Sequence, residues 1–351
     1  MEKDYLIIGQ GIAGTVLAFV LLQQGKSVIV VDENELFTSS KVAAGLYNPI
    51  VFKRIIKSWM VDKVLPEATT IYAEMEEKFG KKFHHKREIV KLFSSDDEKF
   101  FWQTKAQNPE LATYLSNETA VAYCAEKIQN PFACSFVKQS GNTDVTVMLD
   151  SMKEYLQKLN SYHEEKFSFE DLKIIATGVE WKEIKARKLI FCEGYKATKN
   201  PFFSWLPFLL TKGEILIVHI ENFDTDKVIN KGVFILPLGN NLFKVGATYE
   251  WKDLSESPTE KGKTELMDKL KQVLKIPFKV IAHHSGIRPT VKDRRPIIGL
   301  HPEHPQLGIF NGMGTKAVLL APYFAKEFAG FLEGINELSK EVTIQRFYPD
   351  K

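Results

Sequence analysis

An apolar strand, a glycine turn, an apolar helix, a second strand and an acid follow one another without a break over residues 4–33, and no other stretch constrains the fold as much. Gly9, Gly11 and Gly14 spell G-x-G-x-x-G between the strand Tyr5–Ile8 and the helix Ile12–Gln24, with Ile12 and Ala13 in its first turn. Gly9 permits the sharp turn, Gly11 lets backbone approach a pyrophosphate, and Gly14 lets the helix pack close to the strand. A helix N-terminus with unpaired N–H groups favours negative charge at that point. Asp32, followed by Glu33, closes the second strand 18 residues beyond Gly14, where an acid hydrogen-bonds a ribose hydroxyl. A glycine turn without a ligand has no use for that acid. The acid also repels a ribose 2′-phosphate, which leaves NAD or FAD as the dinucleotide.

The 351 residues, 44% of them apolar, suffice for two packed regions. A net charge of +3 without a sustained basic block gives no nucleic-acid footprint. The run Lys81-Lys82-Phe83-His84-His85-Lys86-Arg87 reads as a solvated loop or strand edge. Cys124, Cys134 and Cys192 are an odd set without C-x-x-C spacing, so neither a metal site nor a disulfide framework is expected. The first strand starts so near Met1 that no signal peptide is expected, and glycines interrupt the apolar run Leu6–Leu22, so no membrane span is expected either. A cytoplasmic protein is the expectation, and a homo-oligomer stays open.

Further along, Thr38–Gly45 is rich in small side chains that suit close approach to a flat ligand. Residues 58–80 and Val145–Leu159 have helical apolar spacing, and Lys188–Cys192 reads as a central strand running into Glu193-Gly194. Period-two segments follow at Glu214–Ile220, Gly232–Pro237 and Leu242–Thr248, with Gly239-Asn240-Asn241 as a turn. Glu260–Leu274 reads as a helix and Phe278–His283 as a strand. Finally Leu307–Gly314 is a strand ending in glycines, and Lys316–Leu332 an apolar helix. Dinucleotide-type segments at both ends thus bracket an antiparallel insert. A nicotinamide dehydrogenase keeps its nucleotide-binding units contiguous, so FAD explains this arrangement better.

Four blocks resemble the D-amino-acid-oxidase-like flavoproteins, which include glycine oxidase and sarcosine oxidase. They are Gly9–Gly14 with Asp32, the small-residue block Ser39–Gly45, Lys244-Val245-Gly246-Ala247-Thr248, and Ser285–Gly299, which is similar to the family's G-x-R-P…D-x-x-P-x-I-G signature and leads to Gly312 and Gly314. Glycine oxidase-like members are the nearest in kind. The resemblance implies an α/β fold: a Rossmann-like FAD-binding domain (1–80, 141–205 and 285–351) interleaved with an α+β, mainly antiparallel-sheet substrate domain (81–140 and 206–284). It implies an FAD-dependent amine or amino-acid oxidase or dehydrogenase taking a small-molecule amine or amino-acid substrate.

On the same footing, Ser39, Ser40, Ala44, Gly45, Gly194, Gly286, Gly312, Met313, Gly314, Thr315 and Lys316 join Gly9, Gly11, Ile12, Ala13, Gly14, Asp32 and Glu33 as cofactor-binding candidates. Arg288, the arginine of G-x-R-P, is expected to anchor the substrate carboxylate, for which a guanidinium's planar fork is suited. The alternative for Arg288 is a structural ion pair, with Asp293 as partner. Tyr249 and Tyr47 are candidate contacts, and Lys244 lies where sarcosine oxidase-like members carry a lysine for oxygen activation. No cysteine lies near Gly312 of the kind that tethers flavin, so FAD is expected to be non-covalent. Hydride transfer from an amine needs no protein nucleophile. His283 and His284, adjacent on a strand, point to opposite faces and cannot share a metal. Glu193 departs from the family, which commonly has a small residue there, and a carboxylate so placed needs a partner or solvent. Two other readings stay open: oxidation of a larger amine, such as a modified tRNA uridine side chain, or flavin binding without turnover.

Overall fold

The computed structural model describes residues 2–120 and 123–348. The glycine turn joins the strand Glu2–Ile8 to the helix Ile12–Gln23, and Val28–Asp32 returns parallel beside the first strand with Tyr5 opposite Val28. The helix is apolar on every side because it is covered on every side. The helix Ala317–Leu332 packs against it, and Val61–Phe79 packs on that helix in turn. Val16, Leu17 and Leu21 are fully buried there, so truncating either leucine to alanine costs about 2–5 kcal/mol.

Among the described residues, eight strands make up this sheet. Tyr162–Glu164, Val28–Asp32, Glu2–Ile8 and Ile184–Phe191 run parallel in that order. The last is long enough to serve two neighbours on its far side. Its first half pairs antiparallel with Gly178–Trp181, and its second half pairs parallel with Leu307–Asn311. Two strands remote in the chain therefore finish side by side, with Ile8 opposite Phe191 and Phe191 opposite Ile309. The hairpin Leu172–Ile175/Gly178–Trp181 and the strand Ile297–Leu300 complete the sheet; the sequence reading assigned neither.

A second, seven-stranded sheet runs Lys279–Arg288, Thr211–His219, Leu242–Gly246, Val233–Gly239, Val228–Lys231, Ile89–Leu92, Cys134–Val137. It is antiparallel except between Val228–Lys231 and Ile89–Leu92. The turn between Val233–Gly239 and Leu242–Gly246 has positive φ at Gly239, Asn240 and Asn241, which explains its residue choice. Helix Glu260–Lys271 covers the outer face of Thr211–His219 through Leu266 and Leu270. Alternation along that strand turns Lys212, Glu214 and Leu216 outward and leaves Gly213 and Ile215 facing inward.

The strand expected over Phe278–His283 runs on to Arg288, so the G-x-R segment is itself sheet, paired with Thr211–Gly213. The chain is thus a mixed α/β fold: a Rossmann-like sheet with an interleaved, mainly antiparallel one. Among the described residues, no helix is long and apolar enough to cross a membrane.

Candidate active site

A cleft of about 410 Å³ opens where the parallel strands end, in the size range of ligand sites. Its wall combines residues from both chain ends with the inner face of the antiparallel sheet.

Gly9, Gly11, Ile12 and Ala13 form its floor beside the helix N-terminus, where Gly11 offers no side-chain cap. The Ser40 hydroxyl accepts from the Ile12 N–H at 3.2 Å. Gly14 lies behind the floor: a β-carbon there would sit 1.9 Å from the Gly9 carbonyl oxygen, so its absence lets helix and turn close up. Asp32 reaches the cleft, and its carboxylate accepts from the backbone N–H of Gln10 and of Asn34, both at 2.7 Å. The acid therefore braces the glycine turn from the wall of the cleft. Glu33, also in the lining, is ion-paired to Lys196 at 3.3 Å.

Ser39, Ser40, Ala44 and Gly45 line the next stretch of wall. Gly45, at φ +64°, would meet the Thr143 carbonyl oxygen at 1.9 Å if it bore a β-carbon. Gly286 supports the short helix Ser39–Val42, 3.0 Å from the Ser39 Cα by the same construction. Gly194, Met313, Gly314 and Thr315 close the far side, and Asn311 ties them together by donating to the Gly194 carbonyl at 2.8 Å while accepting from the Gly312 N–H. Gly312 itself stands back from the lining, at φ +77° against Val291 and Ile297.

Arg288 enters the cleft from the antiparallel sheet. Its guanidinium donates to the carbonyls of Lys212 and Thr248, each at 3.2 Å, and lies over the Tyr249 ring at 4.5 Å. A β-carbon on Gly213 would collide with it at 1.8 Å, so the glycine makes the seat for the fork. Burial lowers the Arg288 pKa, yet a guanidinium stays charged. Among the described residues no carboxylate pairs with it. Asp293, the alternative partner, is instead bound to Arg346 at 3.0 Å.

Two expected lysines turn away. Lys244 donates to the Ala43 carbonyl at 2.9 Å behind the wall, its pKa lowered by burial. Lys316 donates to the Ser58 hydroxyl at 2.6 Å, its pKa lowered to about 8 by burial. Neither is in the lining, and Tyr47 is packed in the core against His84. His283 and His284 do diverge: the first meets Glu214 at 2.7 Å and the second stacks on Phe37.

Glu193 has a partner of the kind its carboxylate requires: it accepts from Asn200 at 2.7 Å, and burial raises its carboxyl to about 7. The sequence reading gave several other groups no role in the site. Tyr195 donates to Glu256 across the cleft. Lys212, fully buried, and Asn311 carry no motif at all. In the basic run Lys81 pairs with Glu154 at 3.1 Å and Lys82 with Glu76, while Arg87 donates to the Asp226 carbonyl.

The cleft fits FAD on its own geometry. It has glycines where side chains would fill the floor, a helix N-terminus whose own N-cap residue has no side chain, and an acid at the end of the second strand, where a ribose would lie. The sequence profile of the FAD dependent oxidoreductase (DAO) family matches residues 4–330, and the chain belongs to that family. It is an FAD-dependent oxidoreductase of the amino-acid-oxidase kind. Glycine oxidase from Bacillus subtilis is 24% identical over 355 residues, covering 92% of this chain and 91% of that protein. A tRNA 5-methylaminomethyl-2-thiouridine biosynthesis bifunctional protein from Marinobacter nauticus is 20% identical, over 92% of this chain and 54% of that one. In fold, iminodiacetate oxidase from Chelativorans sp. superposes with a TM-score of 0.79 at 19% identity, covering 97% of this chain and 99% of that one.

Proposed function

We propose that this enzyme oxidises the C–N bond of a small amino acid or N-methyl amino acid whose carboxylate is held by Arg288. One observation carries the reading: a partly buried guanidinium faces the cleft with two carbonyls and a ring for company and, among the described residues, no acid. A guanidinium has five N–H groups, and two are used, so a substrate carboxylate can take a bidentate pair.

Bound FAD supplies the two-electron acceptor. The chain's own part is orientation. Arg288 fixes one end of the substrate, which directs its Cα–H toward the cofactor wall. Tyr249 flanks the guanidinium and limits where the carboxylate settles. Lys244 is a candidate for acting on oxygen from behind the Ala43–Gly45 wall rather than on substrate. Gly9, Gly11, Ser39 and Ser40 would hold the cofactor's phosphates and ring, and Asp32 its ribose. Non-covalent binding belongs to the same proposal; Cys192 lines the cleft, and burial raises its thiol pKa. The division into an FAD-binding part (1–80, 141–205, 285–351) and a substrate part (81–140, 206–284) belongs to the same proposal.

Anaerobic mixing with glycine, sarcosine or D-alanine should bleach the flavin band. Bleaching only by a nucleoside amine, or by no amine, would overturn the reading. Arg288→Ala should raise the KM while FAD stays bound, because truncating one partner of a buried charge pair costs about 2–5 kcal/mol.

A further inference from the structure

The strand Thr211–His219 works on both of its faces, and Lys212 joins the two. Its backbone carbonyl accepts from Arg288 on the cleft side. Its side chain points the other way, 0% exposed, into the loop 247–259 that carries Tyr249. There the ammonium donates to Asp253 Oδ2 at 3.0 Å, Ser255 Oγ at 3.0 Å and the Ser257 carbonyl at 2.6 Å, and Glu214 lies 3.7 Å away. Backbone bonds between Lys212 and Glu250, in both directions, pin the same loop beside Tyr249. The loop in turn supplies the Thr248 carbonyl and the Tyr249 ring, which are the other two neighbours of the guanidinium.

A lysine is ordinarily kept at the surface, and full burial of its charge is tolerated only where partners satisfy it. Here three oxygens and a second acid do so, and all three oxygens come from one loop. Other bonds hold the loop on either side, Thr248 to Glu214 on the strand and Glu256 to Tyr195 and Ser285, whereas Tyr249 and Trp251 between them are 56% and 59% exposed. The helix Glu260–Lys271 begins just after it, with Glu214 accepting from the Thr259 N–H and hydroxyl. The outward side chains of one strand thus fasten both halves of the segment that encloses Arg288.

We propose that Lys212 is a positioning residue for substrate, clamping the 247–259 loop so that Thr248 and Tyr249 hold the Arg288 guanidinium in its carboxylate-binding pose. The inference rests on the carboxylate-anchor reading of Arg288 and adds to it a residue that never touches substrate. Loss of the clamp frees the loop, lets the fork sample other directions and weakens carboxylate binding without disturbing the FAD cradle on the opposite wall.

The test titrates acetate, a bare carboxylate, into the FAD-loaded protein and follows the flavin spectrum, with tryptic cleavage after the exposed Lys252 as a readout of loop release. Wild type should bind acetate and Arg288→Met should not; if wild type shows no perturbation, or Arg288→Met binds equally, the anchor reading falls and the clamp with it. Given that first result, Lys212→Met should raise the acetate Kd about tenfold and Asp253→Ala about threefold, the order seen when a group orienting a ligand-binding side chain is lost. Both should retain full FAD and be cleaved faster at Lys252, a pattern that general destabilisation does not produce. Should Lys212→Met fail to fold, the pair Asp253→Ala and Ser255→Ala, on exposed loop residues, decides by the same criterion. Unchanged Kd in variants that keep FAD, beside a disabled Arg288→Met, overturns the clamp alone.

Discussion

The Arg288 guanidinium lies so close over Gly213 that a β-carbon there would come within 1.8 Å of Nη2 and 2.1 Å of Cζ. The seat is thus set by the absence of one methyl group on the neighbouring strand. Gly213→Ala should push the fork out of position and raise the substrate KM about tenfold or more, the scale of a 1.4 kcal/mol loss. Flavin content should match wild type, since the cofactor cradle is untouched. Steady-state kinetics beside the flavin-to-protein absorbance ratio checks this; an unchanged KM would mean that the guanidinium binds nothing there.

The glycines of the turn should differ in their tolerance. A β-carbon at Gly14 meets the Gly9 carbonyl oxygen at 1.9 Å, where backbone on both sides cannot yield. At Gly11 it meets only the Ser40 hydroxyl at 2.9 Å, which can rotate away. In FAD-free protein Gly14→Ala should therefore lower Tm, overpacking of this kind costing about 1–3 kcal/mol, whereas Gly11→Ala should melt near wild type and weaken flavin binding through the methyl it adds to the cleft floor. Equal melting temperatures of the two FAD-free variants would contradict the geometry.

Glu193 should make stability depend on pH. Burial raises its carboxyl from 4.5 to about 7, so between those values the folded protein holds a proton that the unfolded chain has released. Its contribution falls as pH rises through that window and is lowest above 7. Glu193→Gln keeps an acceptor for Asn200, and it should stabilise the protein at pH 8 by on the order of 2–3 kcal/mol with no gain below pH 4.5. Denaturant melts at both pH values measure the difference.

Lys316 should act in the alkaline range with the opposite sign. Burial lowers its pKa from 10.5 to about 8, so the unfolded chain binds the extra proton between those values and stability rises with pH there. In FAD-free protein, Lys316→Met should be more stable than wild type at pH 7 by on the order of 2–3 kcal/mol, and the gap should close toward pH 10.5. The Ser58 hydroxyl keeps its bond to the Asn48 carbonyl at 3.0 Å, so the substitution strands no donor. A pH-independent difference would assign the effect to packing instead.

Short-range chemistry was legible in the residues themselves. G-x-G-x-x-G with Asp32, the helix spacing of Val61–Phe79 and Val145–Lys158, and the Gly239–Asn241 turn each depend on neighbours a few positions apart, so a linear reading finds them. Arg288 was legible because it sits inside a long block of characteristic residues. What the sequence by itself determined was therefore the kind of ligand and the fold class, and it singled out Arg288 as the candidate anchor. The tertiary structure decided the rest, because those relationships join positions far apart in the chain. It showed that Asp293 is engaged by Arg346 and leaves Arg288 without an acid, that Lys244 and Lys316 turn out of the cleft, and that Asn311 binds Gly194. Lys212 illustrates the physical reason. In the sequence it is one lysine among many, and only the loop folded over it, bringing oxygens from Asp253, Ser255 and Ser257 to one point, makes its burial possible.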